Sequence, residues 1–201
     1  MTPWDQRAAR ILVGPLVRSR ITPNQLTVLA LIVALVGASL LAVGGEAIHW
    51  GAGLFVLSRF LDHFDGELAR QKAMTSRLGY YLDYAAGGLS YSTLFAGLGA
   101  AFRDGPLGDG AIALGLAAAA AAMACVVLNL GIDKARDDID TDSGEAVGYP
   151  GFAGFELEDG IYLLAPITWL GWLHPFFIAA AVGAVVYGLW TCITLVRLRG
   201  G

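Results

Sequence analysis

Charge is scarce in this chain. Of 201 residues only 15% are Asp, Glu, Lys or Arg, while 56% are hydrophobic, a balance that excludes an ordinary soluble domain and points to a polytopic helical membrane protein. Cysteine is nearly absent. Cys125 and Cys192 sit in apolar stretches without C-x-x-C spacing, which leaves no redox pair or zinc site and reads as two free thiols. The opening MTPWDQRAARILVGPLVRSR lacks the long apolar core and small-residue cleavage site of a secretory signal, so internal spans are expected to target the chain. A net charge of −4 argues against nucleic acid, but in a membrane chain the distribution of Lys and Arg says more than their sum. No internal repeat is found, and the alanine run 117–122 reads as close-packing helix surface.

What is present in quantity is apolar helix. A hydrocarbon core takes roughly 20 helical residues to cross, and six stretches supply candidates: Gln25 to Val43, Trp50 to Arg70, Leu78 to Phe102, Ala111 to Gly131, Gly160 to Leu173 and Pro175 to Val196. The fifth is short. The expected fold is therefore an all-α polytopic membrane protein of six transmembrane helices, forming a single domain over residues 1–201 with both termini on one side.

Ahead of the first span, Trp4, Ala8, Ile11, Leu12 and Leu16 recur at helical spacing opposite Arg7, Arg10 and Arg18. Residues 1–20 are thus expected to form an N-terminal amphipathic juxtamembrane helix in the headgroup layer, with a solvated arm as the alternative. Thr22-Pro23-Asn24 supplies a cap and a helix-starting proline.

The basic residues orient the array. Arg7, Arg10, Arg18, Arg20, Lys72, Arg77, Lys134, Arg136, Arg197 and Arg199 fall on one side of the six-span plan, against Arg103 alone on the other. By the positive-inside rule the first side is cytoplasmic, in an inner or cell membrane if the source is bacterial. On that side, residues 132–154 are expected to form a cytoplasmic loop with five aspartates from Asp133 to Asp142, either a solvated acidic loop or a lid over a site.

The chemistry concentrates in DHFDGELARQKAMTSRLGYYLDYAAG, residues 62–87. Asp62, Asp65, Gly66 and Ala69 follow steps of three and four and share one helix face. Gly79 and Asp83 share a face on the next span, and a hairpin through Lys72 to Ser76 would bring the faces together. Carboxylates at membrane depth cost several kcal/mol unless paired or metal-bound, so their cluster marks a functional site. Hard divalent ions favour such oxygen ligands. Alternatively Asp62 and Asp65 form internal ion pairs, with Arg59 one turn before Asp62. His63 points about 100° away from the Asp62/Asp65 face and reads as packing rather than as a ligand.

The spacing D-x-x-D-G-x-x-A-R, eight residues, then G-x-x-x-D resembles the signature of the CDP-alcohol phosphatidyltransferase family, and the TPN lead-in and six-span plan extend the resemblance. The resemblance implies displacement of CMP from a CDP-alcohol donor by the hydroxyl of a lipid or small-alcohol acceptor, with Mg²⁺ or Mn²⁺, two ions in all, in a homodimer surrounded by membrane lipids. Carried over by position, Asp62, Asp65 and Asp83 are metal ligands, and Asp62, Asp65, Gly66, Ala69, Arg70 and Gly79 surround the nucleotide, Arg70 as a phosphate contact. The family's fourth aspartate, a ligand and the proposed general base, is replaced here by Gly87.

That replacement puts the second metal and the activity in question. Besides Asp83, the catalytic carboxylate is sought in Glu156, Glu158 or Asp159, at the start of the fifth span, or in a water held by Ser90 or Tyr91. The acids at the mouth favour an unphosphorylated, amine-bearing acceptor over a phosphorylated polyol. A family member without turnover that binds nucleotide, lipid or protein is a second reading. A divalent-cation transporter explains the acids but not the retained Gly66, Ala69, Arg70 and Gly79.

Overall fold

The computed structural model describes residues 10–135 and 157–200, and among these every regular element is helical. In chain order they are α1 (Gly14–Val17), α2 (Pro23–Val43), α3 (Ala47–Lys72), α4 (Arg77–Ala101), α5 (Asp109–Ala135), a 3₁₀ helix (Leu157–Leu163), α6 (Leu164–Trp169) and α7 (Leu173–Gly200). Of these, α2, α5 and α7 are long and apolar enough to cross a membrane. The lengths of α3 and α4 are comparable, but their site-bearing halves carry the charges.

Local signals start and stop these helices. Thr22 and Gln25 form a reciprocal capping box at the head of α2, as Ser/Thr followed three residues later by Gln allows. Gly44 and Gly45 adopt φ of 77° and 58°, left-handed values open to glycine without a Cβ clash, and turn the chain into α3. At the other end of α3, Ala73 takes φ 52° and Met74 N–H closes back on the Ala69 carbonyl at 2.9 Å. Ser76 then caps α4 by accepting from Gly79 N–H at 3.0 Å.

Packing is centred on α2, which lies against both α3 and α4. Small residues let the backbones touch. A Cβ on Gly37 would stand 2.8 Å from Phe55 N, and one on Gly51 would stand 2.7 Å from Gly37 O. On the other flank a Cβ on Gly97 would meet Ala38 O at 2.8 Å, and a Cβ on Gly115 would meet Phe95 O at 2.6 Å where α4 crosses α5. Around these crossings Leu41, Phe55, Leu94, Leu98, Leu164 and Phe177 form the buried core.

Two boundaries differ from the expectation. Residues 132–135 continue α5 instead of opening a loop, because buried Asp133 is tied into the helix packing. The fifth expected span is a 3₁₀ turn followed by a six-residue α-helix, which stops where Gly171 takes φ 78° and donates to the Thr168 carbonyl at 3.0 Å. At about 2.0 Å per 3₁₀ residue and 1.5 Å per α residue, the two pieces rise only roughly 23 Å.

The N-terminal helix expected over residues 1–20 is described only from Arg10. Val13, Leu16 and Val17 pack on Phe60, Phe64 and Leu68 of α3, while Ile11 and Leu12 remain exposed. This segment is therefore apolar on two faces. The remainder of the expected loop, residues 136–154, lies outside the described residues.

Candidate active site

The carboxylates foreseen from spacing do converge. Ligand oxygens of Asp62, Asp65 and Asp83 all lie within 4.8 Å of one another, compared with at most about 4.2 Å between two oxygens that share one Mg²⁺. Asp62 and Asp65 come from α3 and Asp83 from α4. These two helices make their close backbone contacts with α2 rather than with each other, which leaves the space between them to the side chains.

Each carboxylate has its own support. Arg59 Nη2 donates to Asp62 Oδ2 at 2.7 Å, and its guanidinium also lies 5.1 Å from the Tyr91 ring centroid on α4. This is the ion pair anticipated from the one-turn spacing, and it leaves Asp62 within the triad. Asp65 is only 5% exposed. Its carboxylate neighbours Thr27 of α2, whose hydroxyl donates to the Pro23 carbonyl at 3.3 Å, and Oδ2 has no partner. A buried, unpaired carboxylate oxygen in a cluster of like charges is costly, and a hard divalent cation at this position answers both the missing partner and the repulsion.

The small residues have separate roles. A Cβ on Gly66 would meet only Arg70 Nη1, at 3.8 Å, whereas one on Gly79 would come within 3.1 Å of Asn24 Oδ1. Gly66 thus borders open space, while Gly79 admits a neighbouring polar side chain from the TPN corner. Ala69 is half-buried on the Asp65 side of α3, and Arg70 is exposed. His63 stays outside the three-ligand group.

Gly87 and Gly88 differ sharply. A Cβ on Gly87 would meet nothing within 4 Å, but one on Gly88 would fall 2.3 Å from Val126 Cγ2. Gly88 is required by the contact with α5; Gly87 is not constrained by packing. Among the other carboxylates considered, Glu156 lies outside the described residues, and for Glu158 and Asp159 only the backbone, in the 3₁₀ helix, is described. Ser90 donates to the Ala86 carbonyl at 2.7 Å, so its hydroxyl proton is directed into its own helix.

Four features escaped sequence reasoning. Thr27 reads as one polar residue in an apolar run, and only the α2–α3 crossing puts it beside Asp65. Asn24 was visible as part of a helix start, with no sign that it would lie over Gly79. Asp133 reads as the first acid of a polar loop, but it accepts from the Tyr80 and Tyr84 hydroxyls, the latter at 2.8 Å, and joins α5 to α4 instead of joining the triad. Glu67 is buried and bridges Arg70, Gln71 and Arg10. Its i, i+3 spacing to Arg70 was the available signal.

Comparison with known proteins agrees with this geometry. A family model described as CDP-alcohol phosphatidyltransferase matches residues 20–190. The chain is 38% identical over 71 residues to a bifunctional IPC transferase and DIPP synthase of Thermococcus kodakarensis, which covers 35% of this chain and 16% of that protein. It is 27% identical over 177 residues to a phosphatidylinositol phosphate synthase of Streptomyces avermitilis, covering 87% of this chain and 67% of the relative. The fold is shared with the crystal structure of Mycobacterium tuberculosis phosphatidylinositol phosphate synthase with CDP-DAG bound, at a TM-score of 0.67 and 22% identity over 94% of each chain. With the family model matching residues 20–190 and the signature carboxylates gathered at one place, the chain belongs to the CDP-alcohol phosphatidyltransferase family.

Proposed function

We propose that this chain is an integral membrane phosphotransferase of phospholipid synthesis, which moves a phospho-alcohol group from a CDP-alcohol to an acceptor hydroxyl and releases CMP. The observation that carries the reading is the Asp62, Asp65 and Asp83 cluster with its unpartnered buried Asp65 oxygen. Those three residues would hold Mg²⁺ or Mn²⁺. Bound there, such an ion supplies charge neutralisation and polarisation at the phosphorus under attack and at the departing oxygen.

The chain's own residues would do the rest. Arg59 keeps Asp62 aimed into the cluster, Thr27 of α2 lies beside Asp65, Gly66 and Ala69 leave room for the nucleotide, and Gly79 admits Asn24 from the TPN corner. Arg70 offers planar, charge-assisted donors to a phosphate. Displacement also requires the acceptor hydroxyl to lose a proton, and Glu156, Glu158 and Asp159 are our candidates to receive it in place of position 87.

In the membrane, α2 to α5, the 3₁₀–α6 segment and α7 are proposed as the six spans. The bias of described cations toward the site end supports a cytoplasmic site and cytoplasmic termini. We further propose a homodimer. The relatives' names add phosphatidylinositol phosphate synthesis to the activities worth testing, beside transfer to the unphosphorylated, amine-bearing alcohols that Glu156, Glu158 and Asp159 favour by their charge.

A second reading is supported by Gly87 itself: a member that binds nucleotide or lipid without turnover. The purified protein is therefore assayed for CMP release from a panel of CDP-alcohols and acceptors with Mg²⁺ or Mn²⁺. Metal-dependent CMP release supports the enzyme. CDP binding with no turnover from any pair sinks it and favours the second reading.

A further inference from the structure

Glu67 belongs to none of the signature positions, yet it is among the few buried charged residues of the described chain. Its Oε2 accepts from Arg70 Nε at 3.1 Å and from Arg70 Nη2 at 3.0 Å. Its Oε1 accepts from Gln71 Nε2 at 2.9 Å and lies 3.9 Å from Arg10 Nε. Both carboxylate oxygens are therefore engaged, and each faces a donor on the cytoplasmic-end turn of α3 or on the segment that precedes α1.

The guanidinium is a planar fork with five donors. Glu67 takes the edge formed by Nε and Nη2. The other terminal nitrogen, Nη1, lies 3.8 Å from where a Cβ on Gly66 would stand, beside Asp65 in sequence and over the open side of that glycine. Arg70 also lines an open recess of about 580 Å³ together with Arg10, Glu67 and Gln71, so an anion can reach it.

We infer that Glu67 is a positioning residue for phosphate binding: it grips one edge of Arg70 and keeps the Nη1 edge over Gly66, the residue that follows Asp65 in the chain. This rests on the reading of the site as a CDP-alcohol site. An exposed arginine samples several rotamers and loses that freedom on binding an anion. A buried partner whose Oε2 accepts from two guanidinium nitrogens at once removes most of this freedom beforehand. Gln71, which also donates to the Arg10 carbonyl at 3.2 Å, in turn steadies Glu67.

The test measures Mn²⁺-supported binding of CDP and of cytidine to the full chain in detergent, for wild type, E67Q, R70A and the double variant. Loss of a positioned charge-assisted contact predicts a CDP Kd about tenfold higher in E67Q, with cytidine affinity unchanged. In the R70A background E67Q adds nothing, since its effect passes through Arg70. With CDP-alcohol as substrate, KM rises while kcat stays within about twofold. Unchanged CDP affinity in E67Q, an equal loss for cytidine, or losses that multiply in the double variant would overturn the inference. If E67Q does not fold, E67D, which retracts the same carboxylate by one methylene, is measured against the same outcomes. Failure of wild type to bind CDP at all counts against the site reading itself.

Discussion

Arg59 Nη2 lies 2.7 Å from Asp62 Oδ2, one helical turn away on α3, with both side chains 14% exposed. The same guanidinium faces the Tyr91 ring on α4 at 5.1 Å. One side chain thus orients a carboxylate of the proposed metal site and links the two helices that carry the cluster.

Arg59→Gln removes that orientation while leaving the three ligands in place. Apparent Mn²⁺ affinity should fall roughly 10- to 100-fold, the usual effect of losing a ligand's supporting partner. Turnover at saturating Mn²⁺ should recover in part. Electron paramagnetic resonance titration of free Mn²⁺ reads the shift, and an unchanged affinity would reject the role.

Asp65→Asn separates repulsion from ligation. Wild type should gain about 2.7 kcal/mol of stability at a metal concentration of 100 times Kd, and the variant should gain almost none. Without metal the variant should be the more stable protein, because a neutral amide replaces a buried carboxyl group that has neighbouring carboxylates and an unpartnered Oδ2. Thermal unfolding with Mn²⁺ and with EDTA checks both halves.

Gly87→Asp enters space that is already open, since its Cβ meets nothing within 4 Å. If the missing base limits turnover, CMP release should rise by about 10²- to 10⁴-fold, with little change in thermal stability. If Glu156, Glu158 or Asp159 serves instead, neutralising that residue should abolish turnover in wild type, and Gly87→Asp should add little.

The neighbouring glycine gives the opposite result. Gly88→Ala places a Cβ 2.3 Å from Val126 Cγ2, and overpacking of this kind costs about 1–3 kcal/mol. Unfolding in detergent should show that loss, alongside a neutral Gly87→Ala.

Tyr84→Phe tests the role of Asp133 as a tie between α4 and α5. Loss of a hydrogen bond to a charged acceptor costs about 1.5–3 kcal/mol. CDP binding should persist, because Asp133 is not one of the three converging ligands. A loss of nucleotide affinity larger than the loss of stability would instead place Asp133 in the site.

How much of this was legible beforehand depended on distance along the chain. Asp62, Asp65 and Gly66 are local to one helix, and the helical period alone puts them on one face. Asp83 needed only a short connection. The ends of α2 were also readable, because the Thr22–Gln25 box is a four-residue pattern. The 3₁₀–α6 segment was harder: its composition is that of a span, while Gly171 cuts it short. Asp133 misled because five aspartates in ten residues look like solvated loop, and nothing local reveals two tyrosines some fifty residues earlier.

Sequence alone determined the family, the helical class and the three carboxylates, because helical periodicity and the signature spacing act within a few turns of one another. It also determined that position 87 has no carboxylate. Tertiary structure decided which side chains support that cluster and which glycine is free. Thr27 and Asp65 are brought together by a crossing that requires Gly37 and Gly51 to touch backbone to backbone. The difference between Gly87 and Gly88 is one of neighbours: open space beside the first, and Val126 of another helix against the second.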